Sequence, residues 1–210
     1  MKTISLEEAV AMIPDGASLM VGGFMAVGTP ERVMDEIVRQ GKRDLTVIAN
    51  DTASPGQGIG KLVSAKLLRK LIASHIGLNP ETQQQMNAGA LEVELVPQGT
   101  LIERIRCGGY GLGGVLTPTG VGTIVEEGKQ KIEVNGKPYL LETALRADFA
   151  LVHSFLADYL GNLSYFNPVI AMAADTVMVC ADNIVPVGVI SPDHIVTPAP
   201  IVDYIITNPM

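Results

Sequence analysis

Residues 15–30 read DGASLMVGGFMAVGTP, and this stretch decides the fold. A turn leads into a short apolar strand at 18–21, which runs into a glycine loop, Gly22–Gly28, and then into a helix. Thr29 is suited to the N-cap of that helix and Pro30 to its first position. Backbone amides at a helix N-terminus attract anions, and glycines let a ligand approach the main chain. The stretch therefore predicts a strand–loop–helix unit with a binding loop.

The composition limits the class of protein. The chain has 210 residues, 47% of them hydrophobic, which suggests a single domain over residues 1–210 with a large core. Its net charge of −7 argues against a nucleic-acid partner. Two cysteines in unrelated contexts and three scattered histidines argue against a metal site and favour a reducing compartment. The sequence shows neither a signal-peptide pattern nor an apolar run long enough to span a membrane. We therefore expect a cytoplasmic protein without a membrane partner.

Strands alternate with helices along most of the chain. The predicted strands are 18–21, 45–49, 71–74, 91–96, 149–153, 176–180 and 204–206, and one predicted helix carries Leu62, Val63, Leu67 and Leu68. This alternation predicts the α/β class, with an open, mainly parallel sheet flanked by helices. The pattern breaks at residues 107–142, where a glycine-rich stretch precedes a hairpin signal at Asn135-Gly136. We interpret residues 107–142 as a small β-rich insertion or lid.

Two polar residues follow predicted strands, at the edge where open α/β sheets bind ligands. Gln98 follows the strand 91–96, and its amide can donate to an oxyanion, although a lone glutamine there more often caps a loop. Asn50 follows the strand 45–49, with Asp51 beside it. From the residues alone, this pair is interpreted as an Asx turn. The residues alone leave the two alternatives for Gln98 open.

Residues 109–114 read GYGLGG and match the pattern GxGxxG. A dinucleotide fingerprint needs a strand before the glycines and a helix after them. No strong strand precedes Gly109, and Pro118 interrupts the expected helix, so NAD or FAD binding is not expected.

The 15–30 stretch resembles the signature of the α subunit of the family I (3-oxoacid) CoA-transferases. The shared elements are an Asp-Gly turn, three apolar residues, Gly-Gly-Phe, and then the glycine and proline found here as Gly28 and Pro30. Further segments that are similar to the acetate/acetoacetate (butyrate–acetoacetate) group are 45–52, 73–77, the run around Gln98, 116–128 and 193–198. The resemblance implies the NagB/RpiA-like fold of these CoA-transferases, with a small β insertion.

The resemblance also implies roles for individual residues. It assigns CoA binding, near the thioester and the pantetheine arm, to Gly22, Gly23, Phe24, Met25, Ala26, Val27 and Gly28. It assigns Gln98 to the oxyanion hole and carboxylate pocket, and Asn50 to the substrate pocket.

The activity that the resemblance implies is ping-pong transfer of CoA from an acyl-CoA to a short-chain carboxylic or 3-oxo acid. The nucleophile of such enzymes is a glutamate, which in split members of the family belongs to a separate β subunit. No glutamate of this chain lies in the β-type motif, so we expect a β-subunit partner in an αβ or α2β2 assembly. Coenzyme A is then a substrate, and no metal or redox cofactor is expected.

Two alternatives from other classes stay open at this point. One is a sugar-phosphate isomerase-like enzyme of the same broad fold, and the other is a non-catalytic acyl-CoA-binding subunit.

One departure from the family pattern is visible: Tyr165 passes directly into Phe166, where family members carry a few more residues, including Ala-Arg-Asn. No role of that arginine can be transferred to this chain.

Overall fold

The computed structural model describes residues 2–164 and 168–207, so the junction at Tyr165 and Phe166 lies outside the described residues. The strands are β1 (Lys2–Ile4), β2 (Ser18–Val21), β3 (Leu45–Ala49), β4 (Leu68–Ala73), β5 (Glu92–Leu95), β6 (Gly114–Thr117), β7 (Lys131–Val134), β8 (Lys137–Thr143), β9 (Ala147–Asp158), β10 (Ala174–Val185) and β11 (Tyr204–Ile206). The helices are α1 (Leu6–Ala11), α2 (Glu31–Gln40), α3 (Gly60–Ser64), α4 (Pro80–Asn87), α5 (Gln98–Gly109) and α6 (Pro168–Met172).

Eight strands form one sheet in the order β1-β11-β10-β9-β2-β3-β4-β5. Every pairing in this sheet is parallel. The predicted fold class, an α/β protein with an open parallel sheet flanked by helices, is therefore confirmed. From β2 the chain builds outwards to β5 on one side, and later from β9 to β11 on the other. The order thus switches direction between β2 and β9, which is where sheets of this kind place their binding crevice.

The inner strands of the sheet are buried on both faces, as is typical of parallel sheets. In β2, Leu19 and Val21 belong to one apolar cluster, which also contains buried residues of α1, α2 and α3. Met20 points to the opposite face and belongs to a second cluster, with Leu101 of α5 and Ile170 of α6. Because side chains alternate along a strand, the apolar run of β2 supplies both cores.

The structure corrects three local predictions. α3 ends at Ser64, and Leu68 begins β4 instead of ending a helix, since Lys66 adopts the left-handed backbone with φ 55°. Pro30, not Thr29, is the N-cap of α2, and the Thr29 hydroxyl donates to the Gly22 carbonyl at 3.1 Å. The third difference concerns two strand ends. β9 ends at Asp158 and β10 at Val185, whereas the predicted strands end at residues 153 and 180.

The extra length of β9 and β10 forms a two-stranded ribbon. β2 stops pairing with β9 at Leu151, and β11 stops pairing with β10 at Cys180, but β9 and β10 stay paired up to Asp158 and Val185. The ribbon therefore projects beyond the carboxyl edge of the rest of the sheet.

A helix that the sequence did not predict runs into the glycine-rich region. This helix is α5, from Gln98 to Gly109, so Cys107, placed at the start of the 107–142 insertion, lies in the last turn of a helix. The insertion itself is a three-stranded antiparallel sheet of β6, β8 and β7, with the predicted turn at Asn135 (φ 50°) and Gly136 (φ 74°). Its function as a lid stays a prediction.

Charged side chains join α5 to both sheets. The Arg104 guanidinium contacts Glu94 of β5 at 2.7 Å and donates to the Thr143 carbonyl at 2.8 Å. Glu142, which is buried, pairs with Lys129 at 2.5 Å. Burial raises the pKa of the Glu94 carboxyl, but Arg104 and Lys70 outweigh that effect and hold this pKa below its ordinary value. α5 is thereby held with its first residue, Gln98, at the edge of the large sheet.

Close packing against α5 gives a first test of the fold. A Cβ added at Gly108 would lie 1.9 Å from the Leu145 carbonyl oxygen, whereas one added at Gly99 in the same helix meets nothing within 4 Å. Gly108→Ala is expected to lower the free energy of unfolding by about 1–3 kcal/mol or more, because the helix must shift. Gly99→Ala, the matched control, should be neutral or stabilising by up to about 1 kcal/mol. Urea denaturation of both variants measures this, and equal stabilities would contradict the packing of α5.

Candidate active site

The loops that follow β2, β3, β4 and β5 meet at the carboxyl edge of the sheet. Asn50 follows β3, and its Nδ2 donates to the Gly23 carbonyl oxygen at 2.8 Å. Gln98 follows β5, and its Nε2 donates to Asn50 Oδ1 at 2.8 Å. The three regions that the sequence singled out are therefore joined by direct hydrogen bonds, which we call the Gly23–Asn50–Gln98 chain.

Ser74, which follows β4, completes this set, and the sequence analysis did not assign it a role. Its hydroxyl has one hydrogen and two acceptors within reach, Gln98 Oε1 and the Asn50 carbonyl oxygen, the latter at 2.8 Å. The backbone amides of Ser74 and His75 donate to the same Asn50 carbonyl, at 3.0 and 3.1 Å. A polar residue directly after each of several parallel strands was the signal that could have identified Ser74.

The Asn50 and Gln98 side chains are oriented by these contacts. Asn50 uses its amide as a donor to Gly23 and its oxygen as an acceptor from Gln98, which fixes both ends of the group. Gln98 is exposed at the first turn of α5, and its amide nitrogen carries a second N–H in addition to the one that Asn50 accepts. The site therefore presents an oriented donor to solvent.

The glycine loop makes a tight reversal. Phe24 and Val27 exchange two backbone hydrogen bonds, each of 3.0 Å, across Met25 (φ 51°) and Ala26 (φ 66°). Phe24 and Val27 are exposed, although both are apolar. The loop thus offers an apolar, solvent-facing surface beside the Gly23–Asn50–Gln98 chain.

Gly23 is required by the loop itself. Its φ is 109°, and an added Cβ would lie 2.3 Å from Thr29 Oγ1 and 2.8 Å from the Thr29 backbone nitrogen. A side chain at Gly23 would therefore displace the loop before it could obstruct a ligand. The effect of such a substitution on activity would not separate binding from local folding.

The two interpretations of Asn50 and Asp51 apply to different residues. Asp51 makes the Asx turn, since its Oδ1 accepts from the Ala53 amide at 3.1 Å. Asn50 faces Gly23 and Gln98 instead.

The GxGxxG run also has the context that argued against a dinucleotide site, because Gly109 ends α5 and does not follow a strand. Among the described residues, no group of three or more His, Cys, Asp or Glu is arranged to hold a metal ion. No helix in residues 2–164 and 168–207 is long and apolar enough to cross a membrane.

A buried carboxylate organises the turn at the end of β9, the neighbour of β2. Asp158 Oδ1 accepts from the backbone amides of Leu160, Gly161 and Asn162 at 2.9–3.0 Å, and Oδ2 accepts from Asn162 Nδ2 at 2.8 Å. Burial raises the pKa of Asp158, but the hydrogen bonds from Asn162, Leu160 and Gly161 outweigh it and hold this pKa below its ordinary value. The ionised form is therefore the one that the fold stabilises.

An open parallel α/β sheet with oriented polar side chains at its carboxyl edge, beside the switch point, defines a ligand-binding or catalytic protein of the α/β class. The comparisons give the family. The family model described as Coenzyme A transferase matches residues 3–208. The chain therefore belongs to the coenzyme A transferase family, and the resemblance seen in the 15–30 stretch is confirmed.

Two similar relatives are named as α subunits. The chain is 54% identical to "Acetate CoA-transferase subunit alpha" of Escherichia coli strain K12, over 99% of this chain and 97% of that one. It is 48% identical to the "Acetoacetyl-CoA:acetate/butyrate CoA transferase alpha subunit" of Clostridium acetobutylicum, over 99% and 98%. The apoenzyme of the acyl-CoA transferase YdiF from Escherichia coli O157:H7 has the same fold, with a TM-score of 0.88 at 22% identity. The match covers 98% of this chain, which spans about half (46%) of the YdiF chain.

The lowered pKa of Asp158 makes the stability of its turn depend on pH. A group whose pKa is lower in the folded state stabilises the fold above its unfolded pKa, about 3.9, and loses that contribution as the pH falls through the folded value. Asp158→Asn should therefore lower the free energy of unfolding at pH 7, and the deficit should shrink as the pH falls below about 4. Denaturant titrations of both proteins between neutral and acidic pH measure the deficit. A deficit that does not change with pH would show that the charge of Asp158 has no part in the turn.

Proposed function

We propose that this chain is the α subunit of a CoA-transferase that moves CoA between an acyl-CoA and a short-chain carboxylic or 3-oxo acid. The observation that carries the proposal is the Gly23–Asn50–Gln98 chain, which joins the predicted CoA loop to the predicted oxyanion donor. The names of the relatives, acetate and acetoacetyl-CoA:acetate/butyrate transferase α subunits, support the choice of acids.

The reaction needs a carboxylate nucleophile and donors for its oxyanions. A glutamate carboxylate attacks the thioester carbonyl, the thiolate of CoA leaves, and an acyl-glutamyl anhydride remains. The thiolate then attacks the glutamyl carbonyl and releases the acid, which gives a glutamyl-CoA thioester. The second acid reverses these steps and leaves as its CoA ester. Each attack passes through a tetrahedral oxyanion, which a fixed amide donor stabilises.

In this scheme each part of the site has one role. Gln98 uses its free N–H as the oxyanion and carboxylate donor, while Asn50 and Ser74 hold its amide plane. The loop from Gly22 to Gly28, with exposed Phe24 and Val27, lies along the thioester end of CoA and excludes water from it. Water must be excluded because it would hydrolyse the anhydride and the thioester.

The nucleophile is assigned to a partner. Gly23, Asn50, Ser74 and Gln98 include no carboxylate, and the relatives are named as α subunits, which implies a second subunit. We therefore propose an αβ or α2β2 assembly in the cytoplasm, in which the β subunit supplies the glutamate. Coenzyme A is the substrate of this reaction, and the scheme uses no metal or redox cofactor.

Reconstitution tests whether the nucleophile comes from the partner subunit. The purified chain alone should show no CoA transfer between acetoacetyl-CoA and acetate, because the nucleophile is absent, and activity should appear when a β subunit is added. The β subunit is tested alone as a control. Comparable turnover by the isolated chain would contradict the proposal. Isomerisation of sugar phosphates would favour the isomerase alternative, and CoA binding without turnover in any complex would favour a non-catalytic subunit.

Substitution of Gln98 tests its role as donor. Gln98→Ala should lower kcat by about 10²–10³, as removal of one oxyanion donor does, with a smaller change in the KM for acyl-CoA. Gln98→Glu should be worse, because a carboxylate repels the oxyanion and the substrate acid. Gln85→Ala is a matched control. Gln85 lies in α4, donates to the Val63 carbonyl of α3 at 2.8 Å and belongs to no part of the site. Kinetics are normalised to folded protein, and a change in kcat below about threefold for Gln98→Ala would overturn the assignment.

A further inference from the structure

Asp51 is the residue of the Asn50-Asp51 pair to which the reaction scheme gives no role. The residue is only 4% exposed. Oδ2 accepts a hydrogen bond of 2.8 Å from the Met25 amide, and Oδ1 accepts one of 3.1 Å from the Ala53 amide. One carboxylate thus connects the end of β3 to the turn of the glycine loop, and each oxygen has its own backbone donor.

Backbone strain is concentrated around this carboxylate. Six non-glycine residues in the described part of the chain have a positive φ, and three of them are Met25, Ala26 and Ala53, at 51°, 66° and 48°. Asp51 is bonded to two of these three. Non-glycine residues hold this conformation only where the surrounding structure fixes it, and such positions gather at functional sites.

A second contact supports the turn from the side of the loop after β3. A Cβ added at Gly58 would lie 3.1 Å from the Ala26 Cβ, so the backbone at Gly58 packs directly on the turn. The Gly58 amide donates to Glu31 Oε1 at 2.8 Å, which holds this part of the loop to α2. Asp51 and Gly58 therefore fix Met25 and Ala26 from two directions.

We propose that Asp51 is a positioning residue that holds the turn from Phe24 to Val27 in the conformation that receives acyl-CoA. This inference rests on the proposed function, because it takes the glycine loop as the acyl-CoA site. Asp51 acts through the Met25 amide and touches no reacting atom. Without it, the strained turn relaxes, and the fraction of molecules ready to bind acyl-CoA falls.

Asp51→Asn is the most direct variant, because it keeps the shape of the side chain. An amide has one acceptor oxygen where the carboxylate has two, so the Met25 and Ala53 amides can no longer each keep an oxygen of their own, and the contact between residue 51 and the Met25 amide weakens. Since apparent affinity falls with the competent fraction, the KM for acyl-CoA should rise about tenfold while kcat stays within about twofold. The acid substrate should show no such change in KM.

Asp148→Asn is the matched control. Asp148 also binds a backbone amide, that of Ser18 at 2.7 Å, but it does so at the opposite end of β2. This variant should affect stability without a selective rise in the KM for acyl-CoA. Both variants are assayed in complex with the β subunit, and thermal melts verify that they fold.

A rescue variant separates positioning from general stability. Glycine adopts positive φ without the steric cost that Ala26 bears. The double variant Asp51→Asn/Ala26→Gly should therefore have a KM for acyl-CoA at least threefold lower than Asp51→Asn, because the glycine turn depends less on the hydrogen bond from residue 51. A purely structural role for Asp51 predicts no rescue.

Hydrogen exchange of the isolated full-length chain provides a readout that does not depend on activity. The Met25 and Val27 amides should exchange faster in Asp51→Asn than in the native chain and in Asp148→Asn. Unchanged exchange at these amides, or a fall in kcat without a rise in the KM for acyl-CoA, would overturn the proposal for Asp51. A native complex without CoA-transferase activity overturns the proposed function instead, and faster exchange in Asp51→Asn would then still support the hold of Asp51 on the turn.

Discussion

Parallel pairing of β2, β3, β4 and β5 is the constraint on which the rest of the structure depends. Their register sets Met20 beside Ile48, Ile48 beside Ile72, and Ala73 beside Leu95, so all four strands end at the same edge. Residues that are far apart in the sequence become neighbours only because of this alignment. A slip of one residue in any pair would also turn its apolar side chains to the wrong face, so the cores that fix the register fix the site as well.

The site uses this alignment in two ways. Side-chain amides and a hydroxyl at the ends of β3, β4 and β5 form a connected set, so that Gln98 is oriented before any ligand arrives. The loop after β2 is held in a conformation that its own sequence does not favour, with Met25 and Ala26 in the left-handed region. The stable sheet thus supports a strained loop beside a fixed donor. Such an arrangement lowers the reorganisation that a transition state would otherwise require.

The sequence predicted the parts of the molecule that local rules control. The apolar runs of β2 and β3 and the Asn135-Gly136 turn follow from short-range chemistry. α5 was missed because its first residues follow a strand and its last are glycines, and Gly108 is selected by a close approach to Leu145 that only the fold creates. The site residues were identified individually, but their hydrogen bonds depend on the strand order. The sequence signature suggested ligand contact at Gly23, which stays a prediction, and the structure adds that a glycine is required there by its φ and by the closeness of Thr29.

The central claim is that this chain supplies the oxyanion donor and the CoA loop, while a partner subunit supplies the nucleophile. The covalent intermediate tests this most directly. The reconstituted complex is incubated with acyl-CoA alone and quenched, and the intact mass of each chain is measured by mass spectrometry. We expect the glutamyl-CoA thioester to appear on the β subunit and this chain to keep its unmodified mass. A CoA adduct on a glutamate of this chain would contradict the account.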